Sequence, residues 1–515
     1  MADHTCILAH DLGTTGNKAT LFDTDGRPLA SAFVGYDTAY PHANWAEQNP
    51  ADWERALVAC SQQLLAQADI APGQIAAVSF SGHMQGAVVV DRAGAALRPA
   101  IIWADQRATP QAQFMEQACG AERLYRLTGH RLSPGYTAAK LLWIKDNQPD
   151  IYARAGWVLQ AKDYAAWRLT GAFATDYSDA SGTQVFDLER RAWSEDILHA
   201  FGLCRDLFPP AHPSTAIIGA VTPEAARATG LLAGTPVVIG GGDGACATVG
   251  SGVIRAGDAY TYIGSSSWMA MSTRKPVFDP AQRIVNFAAL DPALFFSLGN
   301  MQAAGGAFDW LERLLREEGA AESRHAALDA LASQAPAGAG GLLCLPYLLG
   351  ERSPHWNPQA RAAFVGLSMA HGRAEMIRAV LEGVALNMRW ILDVLRSEGM
   401  PIQSMRVIGG GMRSALWRQI LADVYGLPLL RPQLDSAATS LGAAIAGGIG
   451  VGLFPDFGVV ERLVSVEPAE QPDPERNAIY EKLYPLFQQT YAALKPVFDG
   501  LTALYAGANS GNVQP

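Results

Sequence analysis

A single carboxylate, Asp243, stands at the end of a run of three glycines. Val237–Gly240 predicts a strand that ends in this run, and the residues after Asp243 predict the start of a helix. Glycines let a substrate approach the backbone closely. A carboxylate at such a point can accept the proton of a hydroxyl group as that hydroxyl attacks phosphorus. Asp243 is therefore a candidate general base for phosphoryl transfer.

The same run supports two other interpretations. Asp243 could cap the amino terminus of the following helix, which is the more common role for an aspartate in that position. Alternatively, Gly240, Gly242 and Ala245 fit the GxGxxA spacing of a dinucleotide-binding turn. That turn requires an acidic residue about 20 residues further on, at the end of the next strand. Asp258 is only 15 residues on and precedes its strand, which weakens the dinucleotide interpretation.

A polar loop near the amino terminus, Asp11–Gly16, contains Thr14 and Thr15 between two candidate strands. Backbone amides in a tight hairpin can point at phosphate oxygens, and the two hydroxyl groups add donors. Asp11 could hold Mg²⁺ through water, because Mg²⁺ keeps several waters and takes one or two carboxylates. The loop lacks the GxxxxGK[ST] spacing of a Walker A motif. An ordinary β-turn explains the Asp and Thr residues equally well.

Other junctions between strands and loops offer further binding groups. Arg406–Ile408 predicts a strand that ends in Gly409–Gly411, where an adenosine moiety could lie flat against the backbone. The segments Ser81–Gly86 and Trp103–Arg107 supply polar groups suited to the hydroxyls of a polyol. His83, in the first of these segments, is taken alone more often a structural histidine than a ligand.

The loops that carry these groups belong to a pattern that occurs twice. Cys6–Ala9 and Lys18–Phe22 predict two strands joined by the first polar loop. In the second half, Asp258–Ile263 is strand-like and runs into the small polar residues Gly264–Ser267. This faint repeat predicts two related lobes that face one cleft.

The length of 515 residues exceeds what one hydrophobic core supports, so at least two domains are expected. Glycines near residues 250–257 indicate the boundary. The predicted domains are 1–253 and 254–500, followed by a tail at 501–515.

Composition narrows the range of partners. The net charge is −10 and no run of Lys or Arg stands out, which argues against nucleic acid or an anionic membrane. No apolar stretch approaches the ~20 residues of a membrane span. The six cysteines form no CxxC pair or zinc pattern, so they are expected to be free thiols in a reducing cytoplasm.

In this order, the segments resemble the FGGY family of carbohydrate kinases over nearly the whole chain. The resemblance is carried by residues 6–16, Trp45–Pro50, Lys162–Tyr164, Thr170–Gly171, Asp176–Thr183, Leu345–Pro354, Arg378–Val384 and Gly409–Ser414. Within the family the chain is most similar to the xylulokinases. The resemblance implies ATP-dependent phosphorylation of D-xylulose to D-xylulose 5-phosphate, with another ketose or a polyol as the alternative substrate.

The resemblance also implies a fold and a set of site residues. The fold is an α/β, actin-like ATPase (ribonuclease H-like) fold, in which an N-terminal sugar-binding and catalytic domain and a C-terminal nucleotide-binding domain flank a cleft. Asp243 is implied as the general base and Asp11 as the residue near Mg²⁺. The sugar is implied to contact His83, Met84, Gln85, Trp103, Asp105 and Asp243. ATP is implied to contact Thr14, Thr15, Gly264, Ser265, Gly305, Gly409, Gly410 and Arg413. Homodimer formation is left open.

Two departures from the xylulokinase pattern concern the sugar. That group usually has Gly-Gln-Met-His-Gly where this chain has Gly-His-Met-Gln-Gly, so His83 and Gln85 have exchanged places. It also usually has Asn where this chain has Gly244. A site built to hydrogen-bond a substrate hydroxyl discriminates strongly against analogues that lack it. The preferred sugar is therefore open.

Two other classes of protein remain as alternatives. One is an NAD-dependent oxidoreductase, and the other is a non-catalytic sugar-binding sensor on the same fold. Sensors of that type that regulate transcription carry a DNA-binding module, and the phosphate loop at Asp11 leaves no room for one before it. The presence of both Asp11 and Asp243 favours catalysis.

Overall fold

A computed structural model of the chain describes residues 5–68, 70–315, 325–397, 401–433 and 437–506. Each half of the chain contributes one seven-stranded sheet. The strands of the first sheet are β1 (Cys6–Leu12), β2 (Gly16–Asp23), β3 (Pro28–Gly35), β4 (Ile75–Gly82), β5 (Ile217–Ala220), β6 (Pro236–Val238) and β7 (Gly241–Gly242). The strands of the second sheet are β8 (Ala259–Ile263), β9 (Ser267–Thr273), β10 (Val285–Ala288), β11 (Phe295–Met301), β12 (Met405–Ile408), β13 (Leu429–Pro432) and β14 (Val466–Pro468).

The two sheets repeat one topology. In the first, the order is β5-β6-β4-β1-β2-β3, with β7 beside β4, and β1 is antiparallel to β2 but parallel to β4. In the second, the order is β10-β11-β9-β8-β12-β13-β14, and β8 is antiparallel to β9 but parallel to β12. Each sheet therefore opens with a hairpin whose first strand lies beside a later parallel strand, which confirms the predicted repeat.

Helices and short two-stranded ribbons surround the sheets. The helices of the first half are α1 (Pro50–Gln67), α2 (Thr109–Cys119), α3 (Ala121–Thr128), α4 (Thr137–Asn147), α5 (Pro149–Arg154), α6 (Ala161–Thr170), α7 (Tyr177–Ser181), α8 (Glu195–Phe201), α9 (Pro223–Thr229) and α10 (Asp243–Gly250). Those of the second half are α11 (Gly305–Leu315), α12 (His325–Ala332), α13 (Arg373–Ser397), α14 (Ala415–Tyr425), α15 (Ala438–Gly450), α16 (Val460–Leu463) and α17 (Pro474–Ala506). The ribbons pair Glu47–Gln48 with Ala100–Ile101, Val88–Val90 with Trp157–Leu159, Thr175–Asp176 with Ala211–His212, Phe186–Asp187 with Ala192–Trp193, and Leu343–Leu345 with Ala363–Val365.

Local sequence signals explain where α1 begins. The side chain of Asn49 accepts a hydrogen bond from the amide of Ala51, and Pro50 occupies the first turn. Asn is a preferred capping residue, and proline is favoured in the first helical turn because its missing amide would have no intrahelical partner there. The helix accordingly starts at Pro50 and ends at Gln67.

One helix from the second half of the chain packs against the first sheet. An apolar core includes Ile7 and Ala9 of β1, Cys246 of α10 and Leu441 and Ile445 of α15. A methyl group on Gly442 would lie 2.1 Å from the carbonyl oxygen of Cys246, so glycine there allows α15 to approach α10 closely. The same core contains residues of the second sheet, and it fixes the start of α10 between the two sheets.

The carboxyl-terminal helix α17 continues through Ala506, so the first residues of the predicted tail at 501–515 are helical. The rest of that tail lies outside the described residues. Within the described ranges, none of the helices combines the length and hydrophobicity needed to cross a bilayer.

Candidate active site

A cavity of about 330 Å³ lies between the two sheets and collects several of the predicted site residues. Asp11, Met84, Gln85, Trp103 and Asp243 all line it. The second half of the chain supplies much of the remaining wall, through Tyr262, Ser266, Trp268, Phe287, Phe296, Leu298, Asn300, Arg352, Ile408, Ala438 and Thr439. The cavity is therefore a cleft site built by both halves.

A larger cavity of about 550 Å³ lies elsewhere, among α1, α6 and α9. Glu54 and Arg168 form an ion pair in its wall. None of the predicted site residues lines this cavity. Size alone therefore does not identify the active site, and the smaller cavity holds the groups that can do the chemistry.

Asp243 reaches the cleft because the glycine run passes through crowded space. Gly240 has a φ of +66°, and a methyl group there would lie 1.9 Å from the carbonyl oxygen of Phe80. A methyl group on Gly242 would lie 2.5 Å from the sulfur of Met84. Only glycine meets both demands, so the run can pass beside β4 and present Asp243 at the start of α10.

Asp243 is not the cap of α10. Gly242 occupies the cap position, and Asp243 is the first residue of the helix. Its Oδ1 accepts a hydrogen bond of 2.8 Å from the amide of Gly244, the next residue. Gly244 is the second residue of the helix, but Asp243 accepts this bond from inside the first turn and not from the cap position before it. The more common structural role considered for this aspartate is therefore wrong.

The surroundings of Asp243 give it the properties of a base. Burial and then the negative charge of Asp11 raise the pKa of Asp243 to about 7, against the opposing effect of the Gly244 amide. Burial also raises the pKa of Asp11, although the hydroxyls of Ser81 and Thr439 and the charge of Lys18 oppose this increase. A carboxyl group whose pKa is close to neutral pH is suited to proton transfer.

The residues predicted to contact the sugar occupy two different environments. Met84, Gln85 and Trp103 line the cleft, whereas His83 and Asp105 do not. His83 is 2% exposed, and its ring packs edge-on against Trp53. Neither of its ring nitrogens has a hydrogen-bond partner among the described residues. Burial, followed by the charge of Lys140, lowers the pKa of His83 to about 4, so the imidazole is neutral.

Asp105 holds two segments of the first half of the chain together by hydrogen bonds. Its Oδ2 accepts hydrogen bonds from the amide of Ala46 at 2.6 Å and from the guanidinium of Arg107 at 2.7 Å. The Arg107 guanidinium also stacks over the ring of Trp45 at 3.6 Å. Asp105 thereby joins two segments that the sequence identified separately, next to Trp103 in the cleft wall. Direct contact between Asp105 and a sugar stays a prediction.

The residues predicted to contact ATP lie at the ends of hairpins and strands. Thr14 and Thr15 form the turn between β1 and β2, and the Thr14 hydroxyl accepts a hydrogen bond of 3.0 Å from the indole of Trp103. The turn predicted to bind phosphate is thus joined directly to Trp103, which is predicted to contact the sugar. Thr15 is exposed.

The corresponding turn of the second sheet adjoins the start of α11. Gly264 follows β8 and Gly409 follows the parallel neighbour β12, so both lie at the same edge of the sheet. The amide of Gly305 donates to the carbonyl of Gly264 over 2.8 Å, and the amide of Gly306 donates to the carbonyl of Ser265 over 2.9 Å. Gly410 and Arg413 are exposed beyond this edge. Their contact with a nucleotide stays a prediction.

The oxygen donors around Asp11 fit the magnesium ion that the sequence predicted. The carboxylate of Asp11 lies near the Ser81 and Thr439 hydroxyls and in the same cavity as Asp243. Mg²⁺ prefers oxygen ligands and takes one or two carboxylates together with water and phosphate. Binding of Mg²⁺ itself stays a prediction.

Sequence reasoning missed the side chains by which the second half of the chain lines the cavity. Tyr262 and Trp268 stack with their ring centroids 3.9 Å apart, and both line the cavity. Arg352 lines the cavity 6.0 Å from the ring of Trp103. Arg352 lies inside the segment Leu345–Pro354 that carried the family resemblance, which was the one available signal for it.

Two α/β lobes with repeated sheets, and a buried carboxyl group with a raised pKa between glycine-rich turns, define an enzyme of the actin-like phosphotransferase class. The chain matches the N-terminal domain of the FGGY family of carbohydrate kinases at residues 6–250 and the C-terminal domain at residues 259–451. It belongs to that family and is a carbohydrate kinase. The predicted family and enzyme class are confirmed, which removes the oxidoreductase and sensor alternatives.

Similar proteins extend over nearly the whole chain. A xylulose kinase of Escherichia coli is 36% identical over 95% of this chain and 99% of its own length. A gluconokinase of Bacillus licheniformis is 31% identical over 95% of this chain and 96% of its own length. The crystal structure of a xylulose kinase from Rhodospirillum rubrum superposes with a TM-score of 0.89 at 33% identity, covering 96% of this chain and all (100%) of that one. The predicted actin-like fold is confirmed.

Proposed function

We propose that the protein transfers the γ-phosphoryl group of ATP to the 5-hydroxyl of D-xylulose, producing D-xylulose 5-phosphate. One observation carries the proposal: Asp243 lines a cleft built by both lobes, and its pKa is raised to about 7. The relatives named xylulose kinase support this choice of sugar, with 36% and 31% identity over 95% of the chain for two of them.

In this proposal Asp243 accepts the proton of the attacking hydroxyl. The transfer occurs late, because the transition state of phosphoryl transfer is loose and the hydroxyl becomes strongly acidic only as it bonds to phosphorus. Asp243 is deprotonated in about half of the molecules at a pH equal to its pKa, so the carboxylate is available near neutral pH. Met84, Gln85 and Trp103 orient the sugar beside it.

The two glycine-rich turns hold the phosphates. The hydroxyls and amides of Thr14 and Thr15 come from the first sheet, and the hydroxyl and amide of Ser265, next to Gly264, come from the second. Gly305, Gly409, Gly410 and Arg413 bind the remainder of the nucleotide. A Mg²⁺ ion held near Asp11 would neutralise charge on the phosphate oxygens. The cleft walls exclude water, which would otherwise compete with the sugar for the phosphoryl group.

A second candidate substrate is D-gluconate, and Arg352 favours it. The Arg352 side chain lines the cleft. The charge of Glu351 attracts its guanidinium, but within the described parts of the chain no carboxylate lies within salt-bridge distance of it. A guanidinium group can bind a carboxylate through two parallel hydrogen bonds. The gluconokinase relative, at 31% identity, fits this alternative.

A substrate panel tests the proposal. Purified protein is assayed for ADP release with D-xylulose, D-ribulose, D-gluconate and glycerol, and kcat/KM is compared. We expect the highest value for D-xylulose, whereas a higher value for D-gluconate would assign the protein to the second candidate. Asp243→Asn should lower kcat by about 10²- to 10⁴-fold. Turnover near that of the wild type in this variant would refute the assignment of the base.

Further predictions concern the cellular location, the oligomeric state and the domain division of the enzyme. All six cysteines are free thiols, which supports the cytoplasmic location proposed from the sequence. The homodimer and the division of the chain into 1–253 and 254–500 stay proposals.

A further inference from the structure

A buried ionic cluster lies directly behind the glycine run that carries Asp243. The ammonium group of Lys162 is 2.7 Å from Asp163, 2.9 Å from Asp176 and 3.2 Å from Asp179. None of these four side chains is more than 1% exposed. Burying several charges costs free energy unless they are paired and hydrogen-bonded. Such a cluster, outside the cleft, calls for a reason other than substrate contact.

The cluster is connected to the backbone next to Asp243 through one hydroxyl group. The amide of Gly242 donates a hydrogen bond of 2.9 Å to Oγ of Ser178. The same hydroxyl donates to Oδ2 of Asp176 over 2.6 Å. Ser178 is thus acceptor and donor at once, and the carboxylate of Asp176 fixes the direction of its proton. A hydroxyl oriented in this way is a stronger acceptor for the next hydrogen bond in the chain.

The glycine run needs such an external support. Three consecutive glycines have no side chains to hold them and a wide choice of backbone conformations. A methyl group on Gly241 would lie 3.0 Å from Oγ of Ser178 and 2.3 Å from a methyl carbon of Leu290, so the run passes tightly over α7. The Gly242 amide is one residue before Asp243, and movement there would move the carboxylate.

A second serine makes the role of Ser178 testable. Ser214 also donates to Oδ2 of Asp176, over 2.7 Å, and it is buried to the same degree. Ser214 meets the glycine run only through its backbone, whose carbonyl accepts a hydrogen bond of 3.0 Å from the Gly240 amide, and S214A keeps that bond. In the described part of the chain, no hydrogen bond joins the Ser214 side chain to the run. The two serines therefore serve the same carboxylate oxygen, and only Ser178 passes the connection on to Gly242.

We propose that Ser178, oriented by Asp176, is a positioning residue that fixes the Gly242 backbone and thereby holds the Asp243 carboxylate at the reacting hydroxyl. The proposal rests on the proposed role of Asp243 as the base. A displacement of about 1 Å in a catalytic group can cost roughly 10²-fold in rate. Ser178 is fully buried and does not line the cleft, so its loss should reduce turnover and leave substrate binding almost unchanged.

The experiment compares Ser178→Ala with Ser214→Ala, using the sugar that the wild type phosphorylates fastest. We expect kcat to fall by about 10- to 100-fold in S178A, with the KM values of sugar and ATP within about threefold of the wild type. In S214A we expect kcat within about threefold of the wild type. Both variants lose a hydrogen bond to Asp176 and should melt at a lower temperature, S178A more so because the Gly242 amide also loses its acceptor.

Equal losses of kcat in the two variants, or near wild-type kcat in S178A, would overturn the proposal. If S178A does not fold, Ser178→Cys provides the same comparison, because a thiol fills similar space but accepts hydrogen bonds weakly; normal kcat in S178C would also overturn it. Failure of the proposed function gives a different result: Asp243→Asn would then retain turnover, or D-xylulose would be a poor substrate, whatever the difference between the two serine variants.

Discussion

Asp11 and Asp243 reach the cleft from strands that flank the same central strand. Asp11 of β1 lies opposite Ser81 of β4, and Gly242, directly before Asp243, lies opposite Gly82 of the same strand. The parallel pairing brings the two carboxyl groups into one cavity from opposite sides of β4. The charge of Asp11 is consequently one of the causes of the raised pKa of Asp243.

This relationship predicts an acidic limit to activity. Asp243 accepts a proton only when it is ionised, and burial together with Asp11 raises its pKa to about 7. We expect kcat/KM for the sugar to fall by about tenfold for each pH unit below that value. The measurement is kcat/KM from pH 5 to pH 9, with circular dichroism as the control for folding at each pH.

Magnesium provides a check on the cause of that limit. A cation held near Asp11 would offset its negative charge and lower the pKa of Asp243. The acidic limb should therefore move to lower pH as the Mg²⁺ concentration rises. A profile that is flat from pH 5 to pH 8 at every Mg²⁺ concentration would contradict both the base and its coupling to Asp11.

The raised pKa of Asp243 also predicts a cost in stability. A carboxyl group whose pKa is higher in the folded state stabilises the fold at low pH, and that contribution is lost as the pH rises from about 4 to about 7. Asp243→Asn removes the buried charge. We expect the variant to exceed the wild type by about 1–3 kcal/mol in free energy of unfolding at pH 8, a range that allows for the partial exposure of the carboxyl.

The control for this prediction is the same comparison of the two proteins at low pH. At pH 4.5 the carboxyl of Asp243 is already protonated, and the two proteins should unfold at nearly the same denaturant concentration. A variant that is less stable than the wild type at pH 8 would show that Asp243 supports the fold rather than the chemistry.

The resemblance to the FGGY family implied the fold, and local sequence patterns were sufficient to predict the residues at the ends of strands. The glycine run before Asp243 and the turn after Asp11 both follow buried strands, and parallel pairing brings the ends of such strands together at one edge of a sheet. Local patterns of alternation and turn residues are enough for that conclusion. The repeat of the hairpin in the second half was visible for the same reason.

The opposite wall of the cleft could not be predicted in this way. Arg352 and Trp268 come from the second half of the chain, and which of its side chains meet the first half depends on how α10 and α15 pack between the sheets. The sequence pattern also did not predict that the side chain of Gln85 would line the cleft and that of His83 would not. Gln85 has a φ of +67°, which breaks the alternation of side chains that a strand pattern assumes.

A buried lysine holds the loop around Gln85, here called the sugar loop, in its conformation. Lys140 of α4 is 0% exposed, and its ammonium group donates to the carbonyl oxygens of Gln85, over 2.7 Å, and Gly135. It holds Gln85 in a conformation that is unfavourable for a residue with a side chain. Lys140→Met should therefore raise the KM of the sugar by about tenfold or more, by about 1.4 kcal/mol in binding, and leave the KM of ATP unchanged.

Lys145, one turn further along α4, is the matched control. Its ammonium group also donates to a backbone carbonyl, that of Gly202 at 2.6 Å, but the residue is only half-buried and does not line the cleft. Lys145→Met should leave both KM values within about twofold of the wild type, because the substitution lies away from the cleft. Equal changes in the two variants would mean that the loss of a lysine from α4 acts on the helix and not on the sugar loop.

The exchanged positions of His83 and Gln85 lead to the last prediction. Gln85 lines the cleft, whereas His83 is buried against Trp53 without a hydrogen-bond partner among the described residues. Gln85→Ala should raise the KM of the sugar, because a hydroxyl of the substrate loses its partner, at a cost of about 1 kcal/mol or a factor of about five.

His83→Phe should leave the KM unchanged and increase the melting temperature, because it removes a buried polar ring that has no partner. Steady-state kinetics and thermal unfolding of the two variants measure both effects. A rise in the KM of the sugar in H83F that matches the one in Q85A would mean that His83 turns into the cleft when the sugar binds.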